Sequence, residues 1–133
     1  MKTLRLCLLA ISCLALLVQG CGLLVGAGAG AVAGVAGTKY AQGNLETTYP
    51  VGLQEAVKAS QQAMQQSQMQ ITDTRMDSTK AEIDGIRTSD GAPVKIVLTP
   101  SSQNSTQGNI RIGKLGDENA ARVLNRFIFD SLK

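Results

Sequence analysis

The stretch KAEIDGIRTSDGAPVKIVLTPSSQNSTQGNIRIGKLGD, residues 80–117, decides the fold. Its apolar residues come in short runs: Ala81, Ile83 and Ile86, then Val94, Ile96 and Leu98, then Ile110 and Ile112. That is the pattern of half-buried strands, expected over 80–88, 93–99 and 106–112. The connections are turn chemistry. Ser89-Asp90-Gly91 supplies the Asp-Gly of a tight hairpin, and residues 101–105 form a polar loop. Strands joined this briefly are antiparallel neighbours. The stretch closes on Gly116-Asp117, where Asp117 is a good N-cap for a helix.

Working outward, residues 69–76 carry Met69 and Ile71 and turn through Asp77-Ser78-Thr79, so they predict one more strand of the same antiparallel set. Upstream of them, Leu53, Ala56, Val57, Ser60, Ala63 and Met64 recur at threes and fours. Gln54, Glu55, Lys58, Gln61, Gln62, Gln65 and Gln66 fill the other side, which is an amphipathic helix started by Pro50. Helical phasing of the apolar positions favours an ordinary surface helix over a prion-like glutamine tract. Before it, residues 44–49 place Leu45, Thr47 and Tyr49 on one face of a first strand. After Asp117, residues 118–132 form a helix with Ala120, Val123, Leu124, Phe127, Ile128 and Leu132 as its buried stripe and Phe129 at the margin. The expected fold is α+β: an antiparallel five-stranded sheet with two helices packed on one face, in the order β-α-β-β-β-β-α. It occupies residues 40–133.

The first 39 residues are of another kind. Lys2 and Arg5 form a basic start, 6–18 an apolar run, and Val18-Gln19-Gly20-Cys21 ends it with a small residue before a cysteine. This pattern resembles the lipobox of bacterial lipoproteins. Residues 1–20 then form the signal peptide, and Cys21 becomes the N-terminus and the site of lipid attachment, carrying a diacylglyceryl thioether and palmitate-type chains. Gln19 stands where a small residue is usual. Competing readings are a secretory signal cut further on, among residues 29–33, an uncleaved N-terminal anchor, and a chance cysteine.

Residues 22–37 are almost purely Gly, Ala, Val and Leu, and with Cys21 they lead to the domain at 39. Gly22, Gly26, Gly30 and Gly34 recur every fourth residue, a stripe along which helices in a membrane approach closely. Against that zipper, a helix over 21–37 covers roughly 25 Å at 1.5 Å per residue, short of a hydrocarbon core of about 30 Å. Six glycines also cost a helix on the order of 5 kcal/mol relative to alanine, which favours a tether lying against lipid. Self-association through this stripe stays open.

Cleavage at Cys21 would also reset the chemistry. The chain has 13 Lys and Arg against 10 Asp and Glu; Lys2 and Arg5 leave, so the remainder is near neutral and offers no nucleic-acid footprint. Cys7 and Cys13 leave as well, so the domain has no disulfide. The sequence has no histidine and no tryptophan, and its aromatic residues are Tyr40, Tyr49, Phe127 and Phe129. Zinc or iron bound by nitrogen and sulfur is therefore excluded in the folded part, as is catalysis by cysteine or with histidine. No metal, cofactor or catalytic residue is expected.

The order of elements, the lipobox with its Gly/Ala segment, the strand-to-helix junction from Tyr49 to Leu53, and Ile112-Gly113-Lys114-Leu115-Gly116-Asp117 before a terminal helix together resemble a family of small bacterial lipoproteins with a domain of unknown function. The resemblance covers residues 40–132 and the lipobox. It implies a periplasmic domain held at a membrane by N-terminal acyl chains and carries over no active residues. Gly22 in place of Asp after the cysteine implies, by the same resemblance, delivery to the outer membrane.

Other constellations have plainer readings. Gly113-Lys114-Leu115-Gly116 matches the loop with which KH domains clamp nucleotides, but a strand-to-helix turn explains it. Asp73, Asp77, Glu82 and Asp84 suggest calcium or paired carboxylates, yet Arg75, Lys80 and Arg87 are interleaved with them, as cross-strand ion pairs would be. Lys58 and Ser60 point to different helix faces and make no base and nucleophile. Asn104-Ser105-Thr106 is a formal glycosylation acceptor that a bacterial setting makes moot. The expected function is a non-enzymatic envelope lipoprotein whose domain binds another envelope protein or envelope component. The alternatives are a glycine-zipper oligomer in the membrane and a small-ligand binder or enzyme using a groove between sheet and helices.

Overall fold

Alternation along each strand decides which residues meet the helices. The computed structural model describes residues 37–133, which run β1 (Lys39–Ala41), β2 (Asn44–Tyr49), α1 (Leu53–Gln66), β3 (Met69–Met76), β4 (Ala81–Arg87), β5 (Pro93–Ser102), β6 (Ser105–Ile112) and α2 (Glu118–Ser131). All strands pair antiparallel in one sheet ordered β1-β2-β6-β5-β4-β3. The α+β class and the two helices stand as expected. The sheet has six strands rather than five.

The sixth is the short β1, which takes in Lys39. Its hairpin to β2 turns on Gln42 and Gly43 with φ of 52° and 82°, both left-handed, as a two-residue turn that follows the right-handed twist of its strands requires. Residues 101–105 are also not a free loop. The β5–β6 ladder continues to Ser102 opposite Ser105, leaving Gln103-Asn104 as the turn, with a register shift between Pro100 and Ser102 that accommodates the proline.

Leu45, Thr47 and Tyr49 are buried, as are Ala81 and Ile83, then Val94, Ile96 and Leu98, then Ile110 and Ile112. In β4 the third inward position is Gly85, and Ile86 is 37% exposed on the other face. The glycine leaves room for Met64 of α1 and for the neighbouring strand: a Cβ there would lie 2.5 Å from the Gln70 carbonyl oxygen and 2.6 Å from Met64 Cε. The buried face of α1 is Ala56, Val57, Ala59, Ser60, Ala63 and Met64.

In α2 the expected stripe holds at Leu124 and Ile128, which are buried, and at Ala120, Phe127 and Leu132, which pack partly buried against the core, but it fails at Val123. Ala121 and Asn125 are buried as well, Val123 is 52% exposed, and Phe129 is half-buried against the core. A polar residue explains the difference. Asn125 Oδ1 accepts a 2.8 Å hydrogen bond from the hydroxyl of Tyr49, which is fully buried, and the Phe129 ring lies tilted 5.1 Å from the Tyr49 ring. Gly108, cross-strand from Thr47, leaves that ring its room, since a Cβ would fall 2.5 Å from Tyr49 Cε2. Asp117 caps α2 by accepting from the Ala120 amide at 3.0 Å.

Candidate functional site

Both helices lie on one face of the sheet; among the described residues no element covers the other, open face, and the pairing registers arrange its side chains in rows. One row runs Glu46, Asn109, Val97, Glu82, Arg75 from β2 to β3. A second runs Arg111, Lys95, Asp84, Asp73, and a third Thr48, Gln107, Thr99.

The half of this face on β3 and β4 is an ion-pair lattice. Arg75 reaches Asp73 at 3.1 Å, Glu82 at 3.5 Å and Asp84 at 2.8 Å; Lys80 pairs with Glu82 at 3.0 Å and Lys95 with Asp84 at 3.7 Å. The hydrogen bond to Asp84, with the carboxylates around it, pushes the Arg75 guanidinium pKa up. Hydrogen bonding and attraction from Lys80 hold Glu82 below its usual value. Each carboxylate here has a cation, so the cluster is a satisfied surface network with a modest energetic role. Among the described residues no three His, Cys, Asp or Glu side chains are grouped to hold a metal ion.

Two residues grouped with this lattice in sequence lie elsewhere. Asp77 sits in the β3–β4 turn, where its Oδ1 accepts from the Thr79 hydroxyl, the Thr79 amide and the Lys80 amide, which together lower its pKa. Arg87 faces the helix side of the sheet and bridges Asp90 at 2.6 Å and Asp117 at 3.0 Å. Its hydrogen bonds bring the Asp90 carboxyl down to about 2 and tie the β4–β5 turn to the cap of α2.

The other half of the open face, on β2, β6 and β5, is different. Asn44, Glu46, Lys95, Val97, Thr99, Gln107, Asn109 and Arg111 line a shallow depression of about 360 Å³. Among the described residues, no hydrogen bond or ion pair engages the side chains of Glu46, Gln107 or Asn109. Planar amides, a hydroxyl, an acid and two cations around the aliphatic Val97 can grip an extended polar ligand. Sequence reading singled out only the β3–β4 side of this face. The signal for the rest was the outward positions of β6, where Gln107, Asn109 and Arg111 alternate with the inward Thr106, Gly108, Ile110 and Ile112.

Cys21, the expected site of lipid attachment, and the stripe Gly22, Gly26, Gly30 and Gly34 lie outside the described residues. Lys58 is exposed while Ser60 is fully buried with its Oγ unpaired, so the two are on different helix faces. Gly113-Lys114-Leu115-Gly116 is the turn from β6 into α2, packed against the Gln42-Gly43 turn. Among the described residues no helix is long and apolar enough to cross a membrane. No curated protein matches the chain. The pattern of a family described as protein of unknown function, DUF3568, matches residues 3–131, and the chain therefore belongs to the DUF3568 family.

Proposed function

We propose that the protein is an envelope lipoprotein, acylated at Cys21 and held at the outer membrane facing the periplasm, whose domain binds another envelope protein or envelope component without catalysing a reaction. One observation carries the anchor: Val18-Gln19-Gly20-Cys21 closes an uncharged apolar run behind Lys2 and Arg5. Two or three acyl chains give lasting attachment where a single chain binds only marginally. The binding surface is the β2–β6–β5 half of the open face, where the side chains of Glu46, Gln107 and Asn109 have no partner among the described residues. The family pattern spans the leader as well as the domain, residues 3–131, so the two recur together in the family.

The anchor is tested by metabolic labelling with a fatty-acid analogue. Label in the native protein and none in a Cys21→Ser variant is expected; label retained by Cys21→Ser overturns it. The four-residue spacing of Gly22, Gly26, Gly30 and Gly34 favours a second reading, a membrane oligomer through that stripe. Crosslinked oligomers of the full chain that vanish when Gly26 and Gly30 are replaced by leucine would establish it.

A further inference from the structure

The most exposed large apolar side chain among the described residues is Leu115, 91% accessible at the tip of the β6–α2 turn. The turn is built to hold it there. Gly113 and Gly116 take φ of 79° and 89°, which residues with side chains rarely adopt, so the chain reverses tightly on both sides of the Lys114-Leu115 pair. The pair is also braced from behind. Arg111 donates to the Lys114 carbonyl at 2.5 Å and to the Gln42 carbonyl at 3.3 Å, strapping this turn to the β1–β2 hairpin turn. Gly43 lies so close that a Cβ on it would be 2.6 Å from the Leu115 carbonyl oxygen.

In the depression beside the tip cations outnumber acids, while Asp117, two residues on from Leu115, is paired with Arg87. Lys95, Arg111 and Lys114 share a depression with a single carboxylate, Asp84, which pairs with Lys95 at 3.7 Å and is also shared with Arg75 at 2.8 Å, leaving an excess of positive charge. Arg111 hydrogen-bonds only neutral carbonyls there, so its charge is not cancelled by an acid. A braced, exposed leucine with cations at its shoulder is complementary to one kind of surface, an apolar layer beneath anionic headgroups. The position of the chain agrees. Residues 21–36 lead into β1, and Lys39 stands only two residues, about 7 Å, from Ala41 at the hairpin turn that touches the tip.

We propose that the β6–α2 turn is a membrane-contacting tip: Leu115 enters the lipid interface while Lys114, Arg111 and Lys95 face anionic headgroups. The proposal rests on the envelope reading above and adds an orientation to it. With this end of the sheet on the lipid, the strands stand away from the membrane and the open face looks sideways, free to meet a partner.

The chain has no tryptophan, so one introduced residue reports alone. Full-length Leu115→Trp protein is reconstituted with vesicles containing phosphatidylglycerol and brominated phosphatidylcholine, beside Met76→Trp, which places the probe on a 53% exposed site at the opposite end of the sheet. The emission of the Leu115→Trp protein is expected to shift to the blue and to lose most of its intensity to bromine, while that of the Met76→Trp protein is unaffected. Adding Lys114→Glu and Lys95→Glu should restore most of the emission, and so should omitting the phosphatidylglycerol. Equal behaviour of the two probes, or quenching indifferent to anionic lipid, overturns the proposal. Amide hydrogen exchange on the unsubstituted protein is the second measurement, with slowed exchange at 113–116 on vesicles expected and no change contradicting it. Intact mass reports acylation of Cys21 separately: an acylated protein with an unquenched tip overturns the tip alone, and an unacylated one with a quenched tip overturns the anchor alone.

Discussion

The two faces of the sheet are built from alternate residues of the same strands and follow opposite rules. On the covered face every position is apolar, small or internally hydrogen-bonded, and an added methyl has no room at Gly85 or Gly108. The open face divides again, into a β3–β4 half whose charges satisfy one another and a β2–β6–β5 half where the side chains of Glu46, Gln107 and Asn109 have no partner among the described residues. A single strand such as β5 thus contributes Ile96 to packing and Lys95 and Val97 to a surface. Stability should reside on one side and recognition on the other, which makes the difference measurable.

The largest loss is expected from Ile96→Ala, at the centre of the covered face, where removing a fully buried side chain costs about 2–5 kcal/mol in denaturant unfolding. Gly108→Ala follows. Its Cβ meets a Tyr49 ring that Phe129 and Asn125 hold in place, and overpacking of this kind costs about 1–3 kcal/mol. A wild-type midpoint for Gly108→Ala would show that the ring can move and that the covered face is looser than its geometry.

Tyr49→Phe leaves Asn125 Oδ1 buried without its donor, at a cost of about 1–3 kcal/mol. Burial pushes the Tyr49 phenol pKa up from its ordinary 10.0, so the native state holds that proton more tightly than the unfolded chain. The contribution is fully present below pH 10 and is lost as pH rises beyond it. Thermal scans in alkali should show the native protein losing stability that Tyr49→Phe does not. At the acid end the sign reverses. Asp90, held down to about 2 by Arg87, contributes stability that is present above its ordinary 3.8 and lost as pH falls to about 2, a loss that Asp90→Asn should reduce. The smallest effect belongs to the open face. Arg75→Gln removes the hub of the ion-pair lattice, yet its melting temperature should stay close to wild type, because exposed pairs contribute little.

Much of the covered face is readable in the sequence because burial imposes a period. The inward sets of β2, β5 and β6 follow strict alternation, and α1 follows the three-four repeat. What escapes that reading escapes for particular reasons. In α2 the core position at 125 is an asparagine chosen by a tyrosine far away in sequence, so hydrophobic phasing passes over it and puts the exposed Val123 in the stripe. In β4 the inward residue is Gly85, whose service is the absence of a side chain, and alternation counted on apolar residues lands on Ile86 instead. β1 has three residues and a Gln-Gly turn, too short for any period. The open face carries even less signal, since outward polar residues look alike whether they bind something or only meet water. The proposed anchor rests on the local pattern Val18-Gln19-Gly20-Cys21 alone, which lies outside the described residues.

The most direct test of the central claim compares the open face with a helix surface in living cells. A photo-crosslinking amino acid is placed at Asn109, in the unpaired half of the open face, and separately at Gln62, exposed on the outer side of α1. A discrete crosslinked adduct from Asn109 and none from Gln62 is the result expected if the open face recognises an envelope partner. An adduct from Gln62 with none from Asn109 would contradict it.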